Sequence, residues 1–321
     1  MNILGIDGGG TQTVCILIDD AGQILGRGVS GPSNYQSVGL EVAGLSIQSA
    51  IAQAVPDSSL PIHGICLGLA GVGRPADQEI IRALLTQLQT PEHLGNTIHW
   101  SVHPQGVVIC GDSQVALMGG VGHAVGIVVI AGTGSHIFGQ NAHGHTQRVG
   151  GWGYLLGDEG SGYDIAIQGL KAALRAFDGR GEPTQLIEQF EQHLGLNTIE
   201  SLVEVVYRRG WKTPDLAALA PIVDQVAAAG DVVANQIIDQ AVAELVLGVK
   251  VVIQGLFRPG ESLEIVTMGG VWQGVANLRG RFIDRLQAQT PVAQVIWPRH
   301  EPAYGAGLLS LQALKQFIDT R

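Results

Sequence analysis

Apolar, β-branched runs recur along the chain at short intervals, and glycine breaks most of them. Residues 2–7, 13–19 and 24–29 read as strands, with Asp20-Ala21-Gly22-Gln23 as a hairpin turn between the last two. A helical stretch at 39–54 follows, then a buried strand at 62–69, a helix at 76–88 and a strand at 106–111 that ends in Asp112. The same grammar restarts at 125–131, with Gly132-Thr133-Gly134-Ser135 as its turn and a second strand through Ile137 and Phe138. The unit of strand, tight turn and strand thus occurs twice, at Asp7–Thr13 and Ala131–Ser135, which reads as a weak internal duplication. Two similar domains facing one another create a cleft. From 160 to 257 apolar positions fall three and four apart, in helical segments 161–178, 184–194, 199–208, 215–229 and 231–257. A strand at 263–268, a helix at 276–289, a strand at 293–297 and a last helix at 302–319 complete the pattern. The expected class is α/β, with a first domain over 1–117, a second, carrying the helical insertion, over 118–301, and the segment 302–321 packing back on the first.

The length of 321 residues suits two domains, and 45% hydrophobic against 14% charged residues fits a globular chain with a large core. The 46 glycines cluster beside apolar runs, as in loops that bring backbone close to a ligand. A net charge of −10 repels phosphodiester backbones, so nucleic acid is not an expected partner. It also repels free nucleotide, so any nucleotide site must rely on backbone N–H groups and a metal ion. Cys15, Cys66 and Cys110 lie singly in strand-like runs, which predicts buried, inert thiols and a cytoplasmic setting rather than zinc or disulfides. The chain opens directly on a strand, without the basic and apolar pattern of a secretion signal. Its longest apolar stretch, 232–257, carries Asp239, Glu244 and Lys250 and reads as a buried helix, so no membrane association is expected.

Four segments carry candidate chemistry. In Gly5-Ile6-Asp7-Gly8-Gly9-Gly10-Thr11, a strand delivers Asp7 to a glycine loop whose N–H groups and Thr11 hydroxyl suit phosphate oxygens, with Asp7 placed to hold magnesium through water. A plain hairpin turn is the alternative. The loop is neither GxxxxGK[ST] nor GxGxxG. Gly132-Thr133-Gly134-Ser135 offers the same kit a second time. Asp112 follows a buried strand and precedes a helix, the place where open α/β sheets bind ligands, although an aspartate there also serves as a helix cap. In Gly150-Gly151-Trp152-Gly153 and Gly157-Asp158-Glu159-Gly160-Ser161, two carboxylates and an apolar wall suit a sugar. Asp158 and Glu159 equally suit the first turn of the helix from Ser161.

Taken together, residues 4–13, 111–114, 131–135, 150–163 and 268–272 resemble the N-acetylglucosamine kinase family, in the BadF/BadG-type ATPase group of the sugar kinase–heat-shock–actin superfamily. The resemblance implies two actin-like (ribonuclease H-like) domains with an interdomain cleft for ATP, Mg²⁺ and an amino sugar, commonly as a homodimer. It implies Asp112 as catalytic base and, with Asp7, as metal contact. Gly9, Gly10, Thr11, Thr133, Gly134, Gly269 and Gly270 become nucleotide contacts, and Asn34, Gly150, Gly151 and Asp158 sugar contacts. The chain departs from the family at Leu69-Ala70-Gly71, where some members carry serine, and at His136, where related kinases carry asparagine. N-acetylglucosamine phosphorylated at its 6-hydroxyl is the implied reaction, with glucosamine and N-acetylmuramic acid as alternative acceptors. Activators of 2-hydroxyacyl-CoA dehydratases share the first loop and form the alternative class, and a sugar sensor without catalysis is a third.

Overall fold

The computed structural model describes residues 1–208 and 210–319. The chain divides into two compact units, Met1–Val125 together with the segment from Pro298 onward, and Gly126–Trp297.

The first unit is built on a five-stranded sheet of β1 (Asn2–Gly8), β2 (Thr13–Asp19), β3 (Ile24–Ser30), β4 (Ile62–Leu69) and β5 (Val107–Gly111), in the order β3-β2-β1-β4-β5. β1 runs antiparallel to β2 and parallel to β4, and β4 is parallel to β5. The central strands are covered on both faces, which explains why they read as continuous apolar runs rather than alternating ones. On one face Leu4, Ile6 and Leu17 pack with Ile47 and Ile51 of the helix Leu40–Ala54 and Ile81 and Leu85 of the helix Pro75–Leu88. On the other, Ile3, Ile16 and Ile18 pack against Ala303, Leu311 and Leu314 of the helix Pro302–Asp319. That helix comes so close that a Cβ on Gly5 would lie 2.1 Å from the Ala303 carbonyl oxygen, so glycine is required there. The final helix thus belongs to the first unit, while Thr320 and Arg321 lie outside the described residues. The division between units falls at Val125 rather than 117, because the helix Asp112–Val121 runs unbroken through 117 and packs on Pro302–Asp319.

The second unit repeats the plan with β6 (Gly126–Ala131), β7 (Ser135–Gln140), β8 (Thr146–Gly150), β9 (Leu263–Met268) and β10 (Ala293–Ile296), in the order β10-β9-β6-β7-β8. Again the first strand pairs antiparallel with the second and parallel with the fourth. The duplication read from the two turns therefore extends to whole sheets. β8 had no counterpart in the sequence reading. Its segment Thr-Gln-Arg-Val-Gly is polar and edge-placed, and carries no apolar signal. The helix expected at 215–229 is two helices, Thr213–Ala217 and Ala220–Ala228. Pro221 in the first turn of the second lacks an N–H and its ring would clash with a preceding helical turn.

Cys15, Cys66 and Cys110 are free and buried. Among the described residues, no helix is long and apolar enough to cross a membrane.

Candidate active site

In the first unit, the candidate residues gather at the C-terminal ends of the parallel strands. Asp7 on β1 pairs in register with Gly68 on β4, and Gly68 with Cys110 on β5, so Asp112 emerges just past the same edge. Two strand spacings, about 10 Å, separate the two backbones. Asp112 opens the helix Asp112–Val121. Its Oδ1 accepts from the Ser113 amide at 2.8 Å and the Ser113 hydroxyl at 3.2 Å. Asp7 keeps some accessible surface, yet protein surrounds most of its carboxyl. That desolvation, with repulsion from Asp112 and then Glu301, raises it from 3.8 to about 7. Glu301, which the sequence did not single out, is held by Arg27 through two bonds of 3.2 and 3.0 Å.

The glycine loop after β1 is fixed by its backbone. The Gly8 carbonyl accepts from Ala70 N, and the Gly9 carbonyl from Ser33 N and Asn34 N. A Cβ on Gly8 would lie 2.1 Å from Ser33 Oγ, whereas one on Gly10 would meet no protein atom within 4 Å. Packing thus explains Gly8 and leaves Gly10 at an open tip beside exposed Thr11. Asn34 caps the short helix Tyr35–Val38 by accepting from Gln36 N at 3.2 Å, and Gln36 Nε2 donates to the Gly71 carbonyl at 2.7 Å. The fold brings Asn34 to the Leu69-Ala70-Gly71 stretch, where the chain departs from the family pattern.

In the second unit, the turn Gly132–Gly134 joins β6 to β7. The Gly132 carbonyl accepts from Gly162 N at 2.7 Å, tying the turn to the start of the helix Gly162–Phe177. Ser161 and Asp164 cap that helix, so Asp164, not Asp158 or Glu159, is the acidic residue of its first turn. Asp158 lies outside it at φ 62°, an uncommon conformation for a residue with a side chain. Its carboxylate lies against the turn, 2.7 Å from where a Cβ on Gly134 would stand. Burial raises its pKa, offset in part by the Ser135 and Gly153 amides and by His136. Gly150 and Gly151 are left-handed at φ 75° and 69°, and Arg148 donates to both their carbonyls. Trp152, beneath the Arg148 guanidinium at 5.6 Å, is 73% exposed.

A cavity of about 670 Å³ opens beside this turn, lined by Gly132, Thr133, Gly162, Gly270, Val271 and Asp224 among others. Its size is that of small-ligand sites, about 300–1,000 Å³. Gly269, at φ 110°, holds the segment after β9 against β6. A Cβ there would lie 2.2 Å from the Ala131 carbonyl oxygen. Gly269→Ala is therefore expected to cost about 1–3 kcal/mol of stability and to lower the melting temperature in a calorimetric scan. An unchanged melting curve would remove Gly269 from the wall.

Among the described residues, no three His, Cys, Asp or Glu side chains form a group able to hold a metal ion.

Residues 4–310 match the BadF/BadG/BcrA/BcrD ATPase family. The chain belongs to this family. It is 33% identical over 311 residues to the N-acetylmuramic acid/N-acetylglucosamine kinase of Clostridium acetobutylicum, covering 96% of this chain and 97% of that one. It is 33% identical over 327 residues to the N-acetyl-D-glucosamine kinase of Dictyostelium discoideum, covering 97% and 98%. A solved Chromobacterium violaceum structure, provisionally named an N-acetylglucosamine kinase, superposes with a TM-score of 0.70 at 25% identity, covering 97% of this chain and 99% of that one. Sequence similarity to two named amino-sugar kinases, and the fold of the Chromobacterium violaceum structure, thus extend along nearly the whole chain.

Proposed function

We infer that the protein is a kinase that transfers the γ-phosphoryl group of ATP to an amino sugar, with N-acetylglucosamine as acceptor at its 6-hydroxyl. The observation that carries this reading is the 33% identity, over nearly the full length, to two named amino-sugar kinases in a chain that has Asp112 just past the C-terminal edge of the parallel strands of its first sheet.

Asp112 is the general base: its carboxylate accepts a hydrogen bond from the sugar hydroxyl and takes the proton as the oxygen attacks phosphorus. Asn34 and Asp158 orient the sugar, with Gly150 and Gly151 as its backbone contacts. The amides of Gly10 and Gly134 and the hydroxyls of Thr11 and Thr133 hold phosphate oxygens, whereas the Gly9 N–H, expected as a nucleotide contact, donates to the Gln12 carbonyl at 2.9 Å and shapes the loop instead. The cavity lined by Gly270, beside the wedged Gly269, holds the nucleoside. The donor set fits magnesium. Asp7 is a largely desolvated carboxyl under repulsion from Asp112 and Glu301, an arrangement that a divalent cation would relieve. Magnesium is typically held by one or two carboxylates with water and phosphate rather than by a protein cage. Asp7 and Asp112 would hold it, and its charge would offset the negative charge building on the phosphoryl oxygens. A cytoplasmic homodimer completes the reading.

A carboxylate-bearing acceptor such as N-acetylmuramic acid is a second reading. His136 packs on Gly151, and Arg148 holds the same loop, so two basic side chains flank the sugar contacts. The partner-driving ATPase class is disfavoured because all three cysteines are buried in strands of the first unit, where a shared iron–sulfur cluster has no access.

The test is ADP release from ATP–Mg²⁺ with N-acetylglucosamine, N-acetylmuramic acid, glucosamine, glucose or no sugar. Release far above the blank with N-acetylglucosamine is expected. Release equal across all five reactions would sink the kinase reading and favour the partner-driving ATPase.

A further inference from the structure

The geometry points to Asp224 as the positioning residue that sets nucleotide affinity, by holding one wall of the cavity in the second unit. This rests on the reading of that cavity as the nucleoside site.

The wall is the segment from Gly269 to Leu278. At its start Gly269 is wedged against Ala131 and Gly132 of the glycine turn, as described. At its far end the chain has no regular pairing, and Asp224, from the helix Ala220–Ala228, supplies the missing acceptors. One carboxylate oxygen accepts from Val275 N at 2.6 Å and the other from Ala276 N at 3.0 Å. Gly274 passes so close that a Cβ would stand 2.4 Å from Asp224 Oδ1, although its φ of −65° would suit any residue. The carboxylate, not backbone conformation, therefore requires glycine at 274.

The opposite edge of the segment is held independently. Arg281 Nε donates to the Ala276 carbonyl at 3.1 Å, and its other nitrogens bind Asp239 and Asn235. Asn235 in turn donates to the Ala227 carbonyl at 2.7 Å, at the end of the helix that carries Asp224. The two clamps close a ring: helix, Asp224, wall, Arg281, Asn235 and back to the helix. Of the clamping side chains Asp224, Arg281, Asn235 and Asp239, Asp224 is the one that also lines the cavity. With both oxygens engaged by amides, its charge is directed into the wall rather than towards an incoming phosphate chain. Hydrogen bonds to charged groups are the stronger ones, so losing one of this pair frees the wall beside the ligand.

Asp224→Asn keeps the shape but turns an NH₂ group towards one of the two amides. It is expected to weaken ADP binding, measured by titration calorimetry, by about tenfold or more. KM for ATP should rise in step, while kcat at saturating ATP and KM for the sugar stay within about twofold. A merely structural residue would lower the melting temperature and leave the ADP affinity of the folded protein intact. Gly274→Ala, which drives a methyl group into the carboxylate, is expected to give the same split, and it decides the question by the same readout should Asp224→Asn fail to fold. Ala218→Trp, which fills the cavity from another side, tests the underlying reading. Lost ADP binding in Ala218→Trp with normal binding in Asp224→Asn and Gly274→Ala overturns the role of Asp224 alone. Normal binding in Ala218→Trp overturns the cavity assignment itself.

Discussion

Asp112→Asn is expected to lower kcat by about 10²–10⁴-fold while leaving ADP affinity, measured without magnesium, within about twofold. The substitution is close to isosteric. Its amide oxygen still accepts from Ser113 N, so the start of the helix Asp112–Val121 is kept. It still meets the sugar hydroxyl with a hydrogen bond. What it loses is the capacity to take the proton. Steady-state ADP release with saturating N-acetylglucosamine gives the first number and titration calorimetry the second. Turnover near that of the unaltered protein would remove Asp112 from the role of base. An internal check comes from Asp7: deleting the Asp112 charge relieves part of the repulsion that holds the Asp7 carboxyl up, so any pH dependence owed to Asp7 should move to lower pH.

Asp7→Asn is expected to stabilise the nucleotide-free protein at pH 8 and to abolish turnover. In the folded chain the Asp7 carboxyl rises from 3.8 to about 7. Below pH 3.8 it is protonated whether the chain is folded or not, and contributes nothing that depends on pH. Between 3.8 and about 7 the folded chain retains a proton that the unfolded chain releases, so stability falls as pH rises through that window. Above it the loss levels off at on the order of 4 kcal/mol. A neutral asparagine avoids that loss, so the gain should be large at pH 8 and nearly absent at pH 4. Calorimetric scans of both proteins at the two pH values read it directly. Equal melting temperatures at pH 8 would mean that Asp7 is not held under this repulsion. Adding ATP and magnesium should restore the unaltered protein and not the variant, which separates a binding carboxylate from one that is merely destabilising.

The central strands of both sheets, β1, β2, β4, β6 and β9, were legible because they are buried along most of their length and read as nearly unbroken apolar runs. β8 was not, because its segment from Thr146 is a polar edge strand whose place is set by pairing with β7. The single helix read at 215–229 shows a competing signal: apolar spacing continues across a proline that the backbone cannot accommodate in mid-helix. For the candidate site, glycine loops and carboxylates at strand ends pointed to Asp7, Asp112 and Thr133, and the family resemblance to Gly270; the structure puts the first two at one edge of the first sheet and the other two on the cavity wall. For Asp158 the sequence offered a sugar contact or a helix start; the helix start belongs to Ser161 and Asp164, and the position of Asp158 against Gly134 is tertiary. Asp224 and Glu301 left no sequence signal. Each is an ordinary acidic residue whose partners, Val275 and Ala276 or Arg27, lie far away along the chain.

The closing helix Pro302–Asp319 has a consequence for how the chain is made. Ile3, Ile16 and Ile18 leave the ribosome ahead of the second unit, yet the surface that covers them is synthesised after it. One face of the first sheet must wait, uncovered, while the second unit emerges and folds. A chain released early, before residue 298, would carry Asp7, Asp112 and the whole second unit but not the cover of its own first core. Such fragments expose a broad apolar sheet face, the kind of surface that chaperones and proteases act on. Placing that cover after the second unit makes translation beyond it a condition for a lasting first unit, so few chains cut short before it would persist despite carrying both glycine turns.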